Sequence, residues 1–141
     1  MRILFKAIIT ALLSIALLSC SDSMTGSDDL TGPAQSTIDI QAGFAGQLVS
    51  ILADGDEKYA DVQPIDVPFS GPLSSIESEL PRSQFTLTVR AEPPPPILPL
   101  DIFEESQELD LGDAREYYIS IDMTVDGKLV VDVSTTPFEY L

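Results

Sequence analysis

Three acidic side chains lie close together around one turn of the chain, at Asp54, Asp56 and Glu57. Hard cations such as Ca²⁺ bind several oxygen ligands at once, so a cluster of carboxylates is a candidate calcium site. The dipeptide Asp54-Gly55 is also a turn signal, and the same residues suit the solvated tip of a hairpin. Their spacing does not match the EF-hand loop. The sequence predicts a hairpin turn here, with a calcium site as the alternative.

A second acidic segment lies in the C-terminal half of the chain. Its six carboxylates within thirteen residues are Asp101, Glu104, Glu105, Glu108, Asp110 and Asp113. They could bind calcium or a basic partner, or form a solvated acidic face. Asp101 and Glu104 have the spacing of a capping box, which predicts a short helix as far as Glu108. Alternation at Leu109 and Leu111 predicts that the segment ends as a strand.

Residue types that carry out common enzymatic reactions are scarce. The chain contains no histidine, which excludes Ser–His–Asp triads, Cys–His dyads and zinc sites with His ligands. Neither Gly-x-Ser-x-Gly nor Ser-x-x-Lys occurs. Paired carboxylates can hydrolyse glycosides, but no pair here is placed well enough to nominate. We therefore expect a protein that is not an enzyme.

Tyrosine rings are the side chains on which a sugar could stack. The chain has four tyrosines, Tyr59, Tyr117, Tyr118 and Tyr140, and no tryptophan. Alternation places Tyr117 on the core face of a strand, so Tyr118 is the better exposed candidate. A carbohydrate-binding module is therefore one alternative function.

Short alternating runs predict the strands that must position these residues. They lie at Ile38–Ile40, Gln47–Ala53, Phe85–Arg90 and Glu116–Thr135. Two segments interrupt the pattern with proline. Val62–Phe69 contains Pro64 and Pro68, which predicts an edge strand or an extended loop. Pro93–Pro96 favours polyproline II, and we expect it to carry the chain from one sheet to the other.

Hydrophobic periodicity also selects the turn between the last two strands. A three-residue loop, Val125-Asp126-Gly127, pairs Met123 with Leu129 and Ile121 with Val131, so that the apolar residues share one face. A two-residue turn would instead bury an acid opposite Ile121. Gly127 is then expected in the left-handed conformation that follows a type I turn.

These features together predict an all-β protein. The expected fold is a single β-sandwich of about seven strands over residues 37–141, with immunoglobulin-like or transthyretin-like topology. A small β-barrel is the alternative. Residues 20–36 are polar and predict a flexible linker ahead of the sandwich.

The first residues have the pattern of a secretory signal. Arg2 and Lys6 form a basic start, and Ala7–Leu18 is apolar except at Thr10 and Ser14. As a helix this apolar stretch would rise roughly 18 Å, whereas a bilayer core is about 30 Å thick. We expect residues 1–19 to be a cleaved signal peptide rather than a membrane span.

The segment Leu17-Leu18-Ser19-Cys20 resembles the lipobox of bacterial lipoproteins. In that family a leucine stands three residues before the cysteine, a small residue stands directly before it, and the chain is cut between the two. Leu18 is bulkier than usual at the middle position. The resemblance implies cleavage between Ser19 and Cys20 and a diacylglycerol on the Cys20 thiol. It covers residues 1–20 only, and a secretory signal with a chance cysteine is the alternative.

A lipidated Cys20 implies a durable membrane anchor. Each buried methylene contributes about 0.8 kcal/mol, and two or three acyl chains hold far more firmly than one. In Gram-negative lipoproteins, Asp directly after the cysteine marks inner-membrane retention, whereas this chain has Ser21. The resemblance therefore implies the outer membrane of the bacterial envelope.

Charge restricts the partners. Removal of residues 1–19 takes away Arg2 and Lys6 of seven basic residues and none of 23 acidic ones, which leaves a net charge of −18. Such a charge argues against nucleic acid and against anionic lipid surfaces. We expect a non-catalytic binding or assembly module with an envelope protein as partner. A calcium-stabilised or carbohydrate-binding surface module is the alternative, and a small carboxylate-based hydrolase is a third hypothesis.

Overall fold

Eight β-strands and one short 3₁₀ helix form in residues 32–94 and 102–141, the part of the chain that the computed structural model describes. The strands are β1 (Ala34–Ile40), β2 (Leu48–Ala53), β3 (Asp56–Val62), β4 (Ser74–Leu80), β5 (Phe85–Glu92), β6 (Phe103–Leu109), β7 (Glu116–Met123) and β8 (Leu129–Ser134). The 3₁₀ helix, Ala42–Phe44, connects β1 to β2. None of the described residues form a helix that is long and apolar enough to cross a membrane.

The strands form two four-stranded sheets that pack face to face as a β-sandwich. Their orders are β4-β1-β7-β8 and β3-β2-β5-β6, and only β1 and β7 pair in parallel. Lettered along the chain, the sheets are D-A-G-H and C-B-E-F. An immunoglobulin sandwich groups A, B, E and D instead. The topology is therefore the transthyretin-like one of the two expected, with one strand more than the seven predicted.

The core lies between the sheets and is built by alternation along the strands. Its large, almost fully buried apolar side chains are Ile38, Ile40, Phe44, Val49, Ile51, Leu80, Phe85, Leu87, Val89, Ile119 and Ile121. Burial of each such side chain contributes about 1.5–3 kcal/mol relative to exposure. The four runs predicted from periodicity, which include β1, β2, β5 and the β7–β8 hairpin, supply most of this core.

Pairing of β7 with β8 confirms the predicted three-residue loop. Met123 pairs with Leu129 and Ile121 with Val131. The Gly127 N–H donates to the Thr124 carbonyl at 2.8 Å, and Gly127 has φ +72°. This is the left-handed conformation that the turn requires.

The hairpin of β2 and β3 turns at Asp54-Gly55. Ala53 pairs with Asp56, so the turn has two residues, with φ +50° at Asp54 and +86° at Gly55. Positive φ at both positions is typical of the turn that matches the twist of the flanking strands. Aspartate and glycine are among the residue types that tolerate this conformation.

The helix expected over 101–108 is wrong for the described part of that segment, which is strand β6. An isolated helix of one or two turns is unstable in water. As a strand the segment pairs along its whole length with β5, from Phe103 opposite Ala91 to Leu109 opposite Phe85. Phe103 also packs edge-on against Phe44, with ring centroids 5.9 Å apart. Asp101 lies outside the described residues.

Three further features of the fold differ from the sequence prediction or make it more precise. β5 and β6 are neighbours in one sheet, so the connection that contains Pro93–Pro96 does not carry the chain between sheets. β1 begins at Ala34, inside the segment expected to be linker. Of the two alternatives for Val62–Phe69, β3 ends at Val62 on the sheet edge and the rest is loop.

Candidate binding surface

The outward side of the D-A-G-H sheet is polar. Ile38 and Ile119 point into the core, so alternation turns Thr37, Asp39 and Tyr118 outward. We call this side the polar face, and its residues are Gln35, Thr37, Asp39, Ser75, Glu77, Glu116, Tyr118, Ser120 and Asp122.

A groove of about 240 Å³ lies on the polar face, between β4, β1 and β7. Its lining includes Gln35, Thr37, Glu77, Glu116 and Tyr118. These supply amide, hydroxyl and carboxylate groups around a half-buried aromatic ring. Such a set can hydrogen-bond a hydroxyl-rich ligand and stack against its ring.

The ring of Tyr118 is held in place by its neighbour. Its hydroxyl donates to the Glu116 carboxylate at 3.3 Å. Partial burial, followed by the charge of Glu116 and this hydrogen bond, raises the pKa of the Tyr118 hydroxyl above its usual value. The hydroxyl therefore stays protonated at neutral pH and remains a donor.

A second polar cluster on the same face surrounds Asp39, which is only 7% exposed. The Ser75 hydroxyl donates to Asp39 Oδ1 at 2.6 Å, and the Tyr140 hydroxyl donates to Oδ2 at 2.5 Å. Gln41 Nε2 donates to the oxygens of Tyr140 and Ser120, at 2.9 and 3.0 Å. A central carboxylate is thus satisfied on both oxygens, and the C-terminal residues lie over β1.

Tyr140 is bound in this cluster in its neutral form. Burial, then the hydrogen bond to Asp39 and the Asp39 charge, raise the pKa of Tyr140 to about 12, although the Gln41 and Ser120 side chains act in the opposite direction. The Phe138 ring packs beside the Tyr140 ring at 6.4 Å between centroids. Sequence reasoning missed this cluster. The one available signal was an acidic residue between Ile38 and Ile40. It indicates the outward face of the strand but does not identify the residues that Asp39 binds.

The acids at the β2–β3 turn do not converge. The Asp54 carboxylate accepts the Thr86 N–H at 2.9 Å and so extends the pairing of β2 with β5. Asp56 and Glu57 are exposed neighbours in β3, where successive side chains point to opposite faces. Within residues 32–94 and 102–141, no three Asp, Glu, His or Cys side chains form a group that could hold a metal ion.

The carboxylates of the second acidic segment also bind separate partners and do not converge. Glu108 accepts the Thr86 hydroxyl at 2.6 Å, Glu105 accepts the Leu129 N–H at 2.7 Å, and Asp110 accepts the Gly112 N–H at 3.2 Å. These carboxylates cap and connect strands. They do not form one pocket with each other.

Two of the tyrosines expected as sugar platforms are structural. Tyr117 is 4% exposed, and its hydroxyl accepts the Ala114 N–H at 2.8 Å, which confirms its core position. The Tyr59 hydroxyl accepts from Gln63 Nε2 at 3.0 Å. Tyr118 remains the aromatic side chain that a ligand in the groove would meet. The predicted cleavage and lipidation residues, Ser19 and Cys20, lie outside the described residues.

Comparison with protein-family models, with curated proteins and with solved structures found no match to this chain.

Proposed function

We propose that this protein is an exported, membrane-anchored lipoprotein of the bacterial envelope whose β-sandwich is a non-catalytic binding or assembly module. The observation that carries the proposal is the segment Leu17-Leu18-Ser19-Cys20, directly ahead of a polar stretch and a sandwich that begins at Ala34. Acylation of Cys20 would hold the domain at the membrane. Ser21 favours the outer membrane.

The anchor is tested by the variant Cys20→Ser. Its expected result is loss of labelling by a fatty-acid probe and release of the protein from the membrane fraction, because the acylated thiol is gone. Ser23→Ala is the matched control and should keep both the label and the membrane association. If Cys20→Ser remained fully membrane-bound, the anchor would be wrong.

A carbohydrate ligand is the second candidate, and the groove around Tyr118 favours it. Sugar recognition combines an aromatic ring with convergent polar groups, and the groove presents Tyr118 beside Gln35, Glu77 and Glu116. The ligand class is an envelope glycan with several free hydroxyls. In the part of the chain that the structure describes, no comparable arrangement supports the calcium alternative, because no group of acids converges and Asp54 accepts the Thr86 N–H.

The glycan candidate is tested by titrating a panel of envelope oligosaccharides while tyrosine fluorescence is recorded. Tyr118→Ala should lower affinity by about tenfold or more, the loss expected for an aromatic anchor. Val130→Ala, an exposed residue of β8, is the control and should bind as the parent does. Equal binding by Tyr118→Ala and the parent would exclude the groove as a sugar site.

A further inference from the structure

The two ends of the sandwich differ in their relation to the anchor. The described chain begins at Gly32 and enters β1 at Ala34, so Cys20 precedes the sandwich at that end, which we call the tether pole. β1 runs to Ile40 at the opposite end, the distal pole. The Leu73 N–H donates to the Ile40 carbonyl at 2.7 Å, which places the β3–β4 loop, residues 63–73, at the distal pole.

Exposed apolar side chains are concentrated at the distal pole. In the β3–β4 loop Ile65 is 82% exposed, Val67 52% and Phe69 fully exposed. Val125, at the tip of the β7–β8 turn, is also fully exposed at this end. The described connections at the tether pole, residues 54–55, 81–84 and 110–115, carry no exposed large apolar side chain.

The base of the loop is firmly held although its middle is exposed. Gln63 is 1% exposed, and its Oε1 accepts the Ser74 hydroxyl at 2.5 Å. The Gln63 N–H donates to the Gln47 carbonyl at 2.8 Å, and the Gly46 N–H donates to the Pro64 carbonyl at 3.1 Å. A loop whose ends are fixed loses less conformational entropy on binding than a free one.

Residue spacing within the loop gives it the form of a ligand. Ile65, Val67 and Phe69 alternate in a segment that contains Pro64 and Pro68, whose rings restrict the backbone. The backbone bends at Ile65-Asp66 and again at Phe69-Ser70, so the loop presents these side chains from a bent segment outside the sheet. Several exposed apolar side chains gathered in one loop indicate an interaction site.

We propose that loop 64–69 docks into an apolar cleft, rimmed by basic side chains, of a second envelope protein that lies farther from the anchoring membrane. This rests on the proposed function, because the anchor defines the tether pole. The basic rim follows from charge: the exposed Asp66 lies between Ile65 and Val67 in the chain, and the mature chain has a net charge of −18.

Charge and position also argue against the other occupants. A second copy would bring another strongly acidic surface against Asp66, and like charges repel. An anionic bilayer would be repelled in the same way. The loop also lies at the opposite end of the sandwich from the anchored segment, which favours contact with something beyond the domain.

The test is site-specific photocrosslinking of the full lipidated chain in intact cells. A photoreactive phenylalanine analogue replaces Phe69 at the distal pole or, as a control, Ser83 at the tether pole. We expect Phe69, but not Ser83, to crosslink to another protein through a peptide whose apolar residues are flanked by Lys or Arg. Ile65→Ser and Asp66→Lys should each reduce the yield by roughly tenfold, and Val130→Ser should not.

Four results would overturn the docking proposal: adducts to lipid alone, adducts only to a second copy of this chain, equal adducts from both positions, or no adduct. Circular dichroism of each variant checks that the sandwich is intact. Fractionation of Cys20→Ser reports the anchor separately. A crosslink at Phe69 that survives in a soluble Cys20→Ser form would retain the docking site while removing its orientation to the membrane.

Discussion

Tyr140 donates its hydroxyl to Asp39 Oδ2 at 2.5 Å, and so joins the end of the chain to a central strand 101 positions earlier. Asp39 is nearly buried and also accepts from Ser75. A buried carboxylate that loses a donor is costly, because its desolvation is no longer compensated. The C-terminal residues are therefore part of the fold of the polar face.

Removal of this hydroxyl should lower the stability of the sandwich. We expect Tyr140→Phe to reduce the free energy of unfolding by about 1 kcal/mol, since the bond is charge-assisted but partly exposed. Urea unfolding followed by circular dichroism measures the difference. Tyr118→Phe, whose bond to Glu116 is longer at 3.3 Å, should change stability less. Equal losses in the two variants would contradict the role given to Asp39.

The same contact should make stability depend on alkaline pH. The pKa of Tyr140 is raised to about 12 in the folded protein, against about 10 in the unfolded chain. The folded state therefore holds this proton more tightly. Its stabilising contribution is complete below pH 10 and is lost as the pH rises toward 12.

Unfolding titrations between pH 8 and pH 11.5, a range chosen about the ordinary tyrosine pKa, test this dependence. The parent should lose stability more steeply than Tyr140→Phe, which lacks the titrating group. Parallel curves for the two proteins would show that Tyr140 does not carry the effect.

Arg82 holds the tether pole together. Its Nε donates to the Gly32 carbonyl at 2.9 Å, and its Nη1 donates to the Ala114 carbonyl. Its own carbonyl accepts the N–H groups of Leu111 and Gly112. Arg82→Ala should lower the free energy of unfolding by about 1–3 kcal/mol, because the Gly32 and Ala114 carbonyls lose a charged donor. Thermal unfolding measures the loss. Lys58→Ala, at an exposed residue of β3, should leave the melting temperature unchanged.

Gly43 permits a close approach between the 3₁₀ helix and the end of β7. A Cβ at this position would lie 2.5 Å from the Met123 carbonyl oxygen and 2.6 Å from Asp122 Oδ1. Gly43→Ala should therefore destabilise the sandwich by about 1–3 kcal/mol through overpacking. Gly32→Ala is the matched control, since nothing lies within 4 Å of its Cβ position. Denaturant midpoints that coincide for the two variants would show that β7 can move aside at no cost.

Calcium should not stabilise the described sandwich through the β2–β3 turn. Because Asp54 is bound to Thr86 and no group of acids converges there, millimolar calcium should leave the melting temperature unchanged. Differential scanning calorimetry with and without calcium checks this. A rise that disappears in Asp54→Asn would instead establish the calcium site that the sequence alone left open.

Sequence periodicity predicted the strands whose two faces differ most strongly in polarity. Ile119 and Ile121 alternate with polar residues, and a one-residue shift would expose the whole apolar set, so register and turn could both be derived. Strand β4 was missed because only Ile76 and Leu80 mark its inner face. β6 was misread as helix because capping-type spacing is local, whereas its strand pairing depends on β5.

Among the residues of the candidate sites, too, the sequence predicted the position of one group and missed another. Tyr118 was expected on the exposed side because its neighbour Tyr117 completes an apolar face. The Asp39–Tyr140 contact was not expected, because nothing local indicates that residues 101 positions apart will meet.

The sequence by itself determined the all-β class, the β7–β8 turn and the motif at Cys20, since each depends on residues close together along the chain. Only the tertiary structure decided the D-A-G-H and C-B-E-F sheet order, the Asp39 cluster and the position of the apolar loop at the end of the sandwich opposite the start of β1. These depend on contacts between distant segments, and such contacts form where the whole core packs best. Local preference does not specify them.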